Sequence, residues 1–592
     1  MTSLAEKLTD IVGQIFEDHD LPRDLGAVRV SDRPDLAQFQ CNGAMAAARI
    51  AKKKPREIAS AIVETLKDNN IFDSIDIAGP GFINLNLTSE AIQNHLHTLA
   101  QNSRMHAKTY ANGETLIVDY VGANIAKAMH AGHIRPTIIG DCIKRIMAFA
   151  GYKALGDVHL GDWGLPIGQI ISAFELSNPE WAYFDDNFAG NYPIDPPFEY
   201  SDLERIYPEA SNACKADKDR MALAQAATAK LQDGHAGYIA LWKHFLTLSK
   251  AHIKSNTDSM NVHFEIWKGE ADVNDLIPPI AEDLKSSGIL YESDGAWVID
   301  VKQDSDKKEL PPLIYYKSNG AVTYGTTDLA TIYDRKNLYG DLARIIYVVD
   351  KRQNLHFEQV FRAAAKAGYT EDNSLELHHI GFGTLNGADG KPFKTRSGEL
   401  PRFDMLVSDA RQKARDRIAE ANLATEFSDD EKEDIARKVA MAALKFTDLL
   451  NQPHMDYVFD LDRMSSFEGK TGPYLLYQAV RINSLLRKAK DQDIATSDNT
   501  PLLLGENDTP LALILCQFPD VFDLTYRTLS PHYLCDHAYS LAQEFSRFYA
   551  KCHILSEEDE TLRLSRLRLC EITRTQLGLC LSLLGIDVPD RM

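Results

Sequence analysis

The chain contains no Cys-x-x-Cys pair. Its eight cysteines, Cys41, Cys142, Cys214, Cys516, Cys535, Cys552, Cys570 and Cys580, stand apart in sequence. Zinc-ribbon spacing is therefore absent and no structural zinc or other resident metal is expected; scattered thiols fit a reducing compartment. No apolar run approaches the roughly 20 residues that span a bilayer. The opening Met-Thr-Ser-Leu-Ala-Glu-Lys-Leu lacks the basic and continuously apolar stretches of a signal peptide. No membrane partner is expected, and the cytoplasm is the default location. Positive charge is also short: 64 Lys and Arg against 85 Asp and Glu give a formal net charge of -21. That argues against nucleic acid, which needs a basic surface, but only weakly, because a local basic tract binds RNA while the remaining surface keeps the protein in solution. Arg49, Lys52, Lys53, Lys54 and Arg56 form one such tract. The run Lys-Lys-Lys-Pro-Arg also matches a nuclear import signal, with a solvated helix end as the simpler account. Internal repeats and low-complexity tracts are missing too. What remains is ordinary globular composition, 44% hydrophobic and 25% charged, over 592 residues, enough for three or four domains.

The most informative stretch is Asn124–Arg135, Asn-Ile-Ala-Lys-Ala-Met-His-Ala-Gly-His-Ile-Arg. The apolar run 116–121 before it reads as a buried strand, and Pro136–Met147 after it has helical spacing. His130 and His133 thus lie at a strand-to-helix turn with Gly132 between them. A helix start offers unpaired N–H groups and the positive end of the dipole, which suits phosphate, and glycine lets a ring or backbone come close. The His-x-Gly-His pattern resembles the signature of class I aminoacyl-tRNA synthetases. With Asn-Ile-Ala-Lys before it and Ile-Arg-Pro-Thr-Ile-Ile-Gly-Asp after it, the segment resembles the arginyl-tRNA synthetase family.

Residues 106–450 alternate strand and helix patterns, which predicts a parallel sheet; Ile345–Val349 is a second buried strand. Residues of about 170–310 interrupt the rhythm with an aromatic, acidic loop (181–200) and a long helical stretch (217–254), and read as an insertion. Residues 1–105 read as a separate module: an Ala-rich helix stopped by Pro55, a helix over 56–67, and an alternating strand near 83–87. Residues 451–592 are almost wholly helical by pattern. The resemblance implies the same plan: a Rossmann-like α/β class I core with an insertion, an N-terminal α+β additional domain placed at the outer corner of tRNA, and a C-terminal all-α anticodon-binding domain. Phe39, Gln40 and Asn42 are candidates for stacking on and hydrogen bonding an unstacked base, with a core role for Phe39 as the alternative.

Val322–Arg335 ends a strand near Tyr324, with Thr326 or Thr327 as the predicted helix cap and Asp328 in the first turn. Tyr324 and Asp328, four apart, face one pocket. A guanidinium presents five planar donors, two of which one carboxylate can accept. The pair resembles the family's arginine side-chain site, with Gln353 as a third pocket residue, Asp119 for the amino group of arginine, and Asn124 near its carboxylate. The basic loop Gly387–Glu399 contains Lys391, Lys394 and Arg396; Pro392-Phe-Lys-Thr-Arg396 resembles the class I phosphate loop without its second lysine, for which Lys127 stands in by resemblance. Gly161-Asp-Trp-Gly-Leu-Pro-Ile-Gly168 matches another active-site segment, except that Pro166 stands where the family usually has Gln. In the tail, Tyr474, Tyr477 and Arg481 fall at helical spacing. The resemblance of 566–592 to the anticodon-binding domain assigns tRNA contacts to this stripe and to Met592.

The resemblance implies an enzyme that joins L-arginine to tRNA(Arg) with ATP as substrate, Mg²⁺ accompanying the ATP, and works as a monomer. His130, His133, Lys127, Lys394 and Arg396 would bear the phosphate charge, with Gly132 beside the nucleotide. A class I synthetase for another amino acid, such as cysteine, is disfavoured by the missing zinc ligands and the Tyr324/Asp328 pair. A non-catalytic RNA-binding paralogue is disfavoured by the intact histidines.

Overall fold

The computed structural model describes residues 3–370, 375–393, 400–421, 423 and 426–592. The chain forms two compact units, one of residues 110–414 and 447–463, the other of 1–109, 415–446 and 464–592.

The first unit is built on a four-stranded parallel sheet. Thr115–Tyr120 lies between Lys153–Asp157 and Leu342–Asp350, and Glu376–Phe382 flanks the last of these. All six residues of Thr115–Tyr120 are buried, as expected for a parallel strand covered on both faces. Strand order reverses direction at this strand, and ligands of open α/β sheets bind outside the carboxyl ends at such a point. Across the sheet, Asp119 stands level with Asp157 on one side and Tyr347 on the other. The helix Ile134–Phe149 follows the histidine turn. It comes close to the first strand at Gly140, where a Cβ would meet the Tyr120 ring at 2.2 Å.

The connection from Asp157 to Leu342 holds the insertion. The predicted single helical stretch over 217–254 is two helices, Lys218–Gln232 and Ala236–Ser259, parted at Gly234, which adopts φ +85°. A further helix, Tyr200–Ala216, was not anticipated, since Pro208 lies within it and proline normally argues against a helix interior. A three-stranded antiparallel sheet, Leu290–Ser293, Ala296–Ile299 and Leu313–Tyr316, completes the segment. The next helix, Tyr324–Leu338, starts earlier than predicted. Thr323 is the cap, and Thr326 sits one turn inside with its hydroxyl donated to the Tyr315 carbonyl. Asp328 therefore falls in the second turn. Ile117, Leu329, Ile332, Ile345 and Val360 form the core between this helix and the sheet.

The expected border at 450 moves. Residues 447–463 pack with the parallel-sheet unit because Asp448 is the buried partner of Arg135, and Tyr457–Val458 pairs with Leu385–Asn386.

The second unit contains an antiparallel sheet in the order Val28–Val30, Phe39–Cys41, Phe82–Leu87, Phe72–Ala78. Phe39 points into its core and is only 3% exposed. The expectation that it stacks on a base is corrected, because the ring has no free face. Gln40 is half-buried and donates to Asn84 at 2.8 Å, whereas Asn42 is exposed and makes no capping bond. Arg49, Lys52, Lys53, Lys54 and Arg56 are all exposed. The helix Ser89–Ala100 packs against Thr509–Cys516, and Ile92, Leu96 and Leu99 on the one and Leu511 and Leu515 on the other are buried. Among the described residues no helix is long and apolar enough to cross a membrane.

Candidate active site

A cleft of about 680 Å³ opens at the carboxyl ends of Thr115–Tyr120 and Leu342–Asp350. Asp119, Asn124, Tyr324, Asp328 and Gln353 all line it, as do His130, Gly132 and His133. Lys127 is not among the lining residues; its ammonium lies 5.9 Å from the centre of the Tyr207 ring. Lys394 and Arg396 lie outside the described residues. Lys391 is exposed and its carbonyl closes a turn by accepting the Gly387 N–H at 2.8 Å.

The histidine turn fixes its own chemistry. Nδ1 of His133 accepts the His130 backbone N–H at 3.0 Å, and Nδ1 of His130 accepts the Gly132 N–H at 3.1 Å. An accepting Nδ1 carries no proton, so each ring is held as the neutral tautomer with Nε2–H as its donor. Burial pushes His130 down to about 4 and His133 to about 3, with the Lys127 charge adding to both. At neutral pH the pair thus offers hydrogen bonds to an anion rather than positive charge, which alters the expectation that the imidazoles bear phosphate charge. A Cβ at Gly132 would lie 2.9 Å from the His130 ring, so any side chain there would push that ring out of its present position. The backbone beside the basic loop is tied to this turn: Ala131 N–H donates to the Pro401 carbonyl at 2.8 Å, and Phe403 N–H to that of Met129 at 3.0 Å.

Other groups lining the cleft are acidic and phenolic. Asp328 Oδ2 is 2.5 Å from His356 Nε2. Glu270, contributed by the insertion, lines the cleft beside Tyr324 and Asp328. Burial pushes its carboxyl up to about 7; Asp162 and Asp328 add to the rise and His159 opposes it. His159 adopts φ +35°, and its N–H donates to Asp157 Oδ1 at 3.0 Å. Asn124 bridges to Gly161, where a Cβ would collide with the Asn124 amide at 2.0 Å. Oxygens of Asp119 and Asp157 and a nitrogen of His159 converge within 4.8 Å, a set that calls for a cation. Arg335 supplies it, with Nη2 at 2.6 Å from both carboxylates.

Sequence reading missed Glu270, His159, His356 and Arg335. His356 had a signal, since it lies one helical turn beyond Gln353 and therefore on the same side. Arg335 had one too, lying two helical turns beyond Asp328 on the same helix, but its acceptors Asp119 and Asp157 come from strands distant in sequence. Glu270 and His159 had none, because each reaches the site through the fold of the chain rather than a local spacing.

In the second unit, Tyr477, Arg481 and Met592 line one cavity of about 600 Å³ together with Tyr549 and residues 552–556. Arg481 lies 4.7 Å from the Tyr477 ring centre and 5.4 Å from that of Tyr549. Tyr474 is not part of this group; its ring packs near Tyr539.

Three family models match the chain. They are the arginyl tRNA synthetase N terminal domain over residues 2–87, the class I (R) tRNA synthetase catalytic domain over 95–461, and the DALR anticodon binding domain over 475–592. The arginine–tRNA ligases of Maricaulis maris (strain MCS10) and Hyphomonas neptunium (strain ATCC 15444) are 45% and 46% identical to it, each over 100% of both chains. The crystal structure of arginyl-tRNA synthetase from Plasmodium falciparum matches with a TM-score of 0.82 at 25% identity, covering 100% of both chains. With a class I catalytic core at its centre, an N-terminal additional domain before it and a helical anticodon-binding domain after it, the chain belongs to the arginyl-tRNA synthetase family.

Proposed function

We propose that the chain activates L-arginine with ATP and transfers it to the 3′-terminal ribose of tRNA(Arg). The observation that carries this reading is the mixed lining of one cleft: carboxylates and a phenol together with a pair of neutral imidazole donors. Asp328 and Glu270 accept the substrate guanidinium, with Tyr324 and Gln353 beside it, while Asp119 takes the α-ammonium and Asn124 approaches the carboxylate. That carboxylate oxygen attacks the α-phosphorus of ATP, the bond to the β-phosphate oxygen breaks, and pyrophosphate leaves with arginyl-adenylate remaining. A ribose hydroxyl of tRNA then attacks the adenylate carbonyl, releasing AMP. The protein positions the reactants and stabilises developing charge. His130 and His133 donate to phosphate oxygens, Gly132 makes room, and Lys127, Lys394 and Arg396 add positive charge. Mg²⁺ enters with ATP. Residues 1–105 and 464–592 hold tRNA, through Gln40, Asn42 and the basic tract at one end and Tyr477, Arg481 and Met592 at the other, with Tyr474 on the same helix. The working form is a monomer in the cytoplasm.

Lysine in this site would leave the acceptors half paired, and sites of that kind reject analogues by about 10⁴–10⁵. Radiolabelled arginine is expected to charge onto total tRNA in the presence of ATP. Arginine-dependent ATP–pyrophosphate exchange is expected only when tRNA is present. Charging of another amino acid, or of none, would overturn the assignment.

Glu270 gives a pH signature. Its carboxyl, raised to about 7 by burial, is ionised above that pH, where it attracts a guanidinium. In wild type, kcat/KM for arginine should therefore climb as pH rises through 7. In Glu270→Gln that rise should be absent, and a profile unchanged by the substitution would remove Glu270 from the pocket.

A further inference from the structure

We propose that Arg335 is a positioning residue for the substrate's α-ammonium group, acting through Asp119. The inference rests on the reading of Asp119 given above and extends it to a side chain that never reaches the cleft. Arg335 lies on Tyr324–Leu338, two helical turns or about 10 Å beyond Asp328. It is 3% exposed. Its Nη2 donates to Asp119 and to Asp157 at 2.6 Å, and its Nη1 to the Tyr347 hydroxyl at 3.3 Å. These three acceptors occupy the same level of three neighbouring parallel strands. One guanidinium therefore pins the helix that carries Tyr324 and Asp328 to the strand that carries Asp119.

The two acids are not equivalent. Both Asp157 oxygens are used, one by Arg335 and one by the His159 N–H, and Asp157 is absent from the cleft lining. Asp119 lines the cleft and gives Oδ2 to Arg335, while no hydrogen bond to its Oδ1 is formed among the described residues. Burial pushes the Asp119 carboxyl up, against the pull of Arg335 and His159, so a further cation beside it favours the ionised form. One guanidinium shared by two carboxylates leaves room for that cation, and a substrate ammonium group fits it. Arg335 thus satisfies Asp157 and holds Asp119 by Oδ2, which leaves Oδ1 as the acceptor for an ammonium group at the cleft.

The test compares two ligands by calorimetry on the full-length chain: arginine, and 5-guanidinopentanoate, which is arginine without its α-amino group. R335M is expected to weaken arginine by about 10- to 100-fold, the loss of one charged hydrogen bond, and the analogue by less than about threefold. R335K, which keeps the charge, should show a smaller loss, again confined to arginine. R335M/D157N removes one charge of each sign and should recover much of the arginine affinity lost in R335M. D119N must weaken arginine selectively; if it does not, the reading of Asp119 fails, separately from any result on Arg335. Equal losses for both ligands in R335M or R335K, or no loss, would overturn the proposal. If R335M does not fold, R335M/D157N and R335K decide: arginine binding in the double variant no tighter than in D119N, or a non-selective loss in R335K, overturns it.

Discussion

Asp328→Asn is expected to lower kcat/KM for arginine by about 30- to 5,000-fold, corresponding to roughly 2–5 kcal/mol for stripping one partner from a desolvated charge pair. The KM for ATP should stay nearly unchanged. Asparagine matches aspartate in size and can still accept from His356, so the helix start and the 2.5 Å contact at Oδ2 survive. What changes is the face turned to the substrate, where an amide N–H₂ meets a guanidinium, donor against donor. Glu270→Gln should cost less. Its carboxyl already titrates near neutral pH, so part of the population is uncharged before the substitution. The ordering Asp328 over Glu270 is therefore a sharper test than either variant alone. The measurement is arginine-dependent ATP–pyrophosphate exchange with tRNA present, alongside charging at saturating ATP. Near-normal exchange in Asp328→Asn would remove the carboxylate from the recognition of arginine and leave the cleft's specificity without its main source.

How much of this was legible in the sequence depends on distance along the chain. The buried strand at Thr115–Tyr120, the helix after the histidines, and the shared pocket of Tyr324 and Asp328 were all readable, because each is set by a period or spacing within a dozen residues. The cap of the pocket helix was not. Thr323, Thr326 and Thr327 are all competent caps, and the start at Thr323 is set by a neighbouring strand, whose Ile314 and Tyr315 carbonyls accept the Thr323 and Thr326 hydroxyls. Phe39 sits in an alternating strand whose inward side cannot be told from its outward side by sequence alone. Packing turned the ring inward and left Gln40 toward the surface. The histidines show a different limit. Their pattern is plain, but their neutrality depends on burial and on two backbone N–H bonds within the turn. Lys127, Glu270 and Arg335 depend on partners from other elements: Tyr207 in the insertion, the cleft itself, and three parallel strands. A local pattern can name such residues but cannot say what they touch.

The longest of these unreadable links carries the largest expected effect on stability. Arg135, next to Ile134 at the start of the helix that follows the histidine turn, is 1% exposed, and its partner Asp448, 313 residues away, is 0% exposed. Nε donates to Asp448 Oδ2 at 3.1 Å, the Tyr457 hydroxyl donates to the same oxygen at 2.9 Å, and Nη1 donates to the Met455 carbonyl at 2.7 Å. Burial pushes the Asp448 carboxyl up, against the pull of Arg135 and the Tyr457 bond. Asp448→Ala leaves a guanidinium buried without its counter-charge, which costs about 3–5 kcal/mol, or a fall of roughly 5–10 °C in the melting midpoint of a unit this large. Arg135→Met combined with Asp448→Leu removes both charges and should regain part of that loss, since an apolar replacement of a buried ion pair is often neutral, while the Tyr457 hydroxyl and Met455 carbonyl lose their partners. Activity should not recover in parallel. Arg135 borders the cleft, and Thr137 Oγ1 donates to the His133 carbonyl at 2.6 Å, so the first turn of this helix sets where the histidine donors stand. Exchange kinetics should therefore show kcat/KM for ATP still depressed in the double variant at temperatures where it is fully folded. Full recovery of both stability and kcat/KM would mean that the pair only holds the fold together, and that the histidine turn keeps its geometry without it.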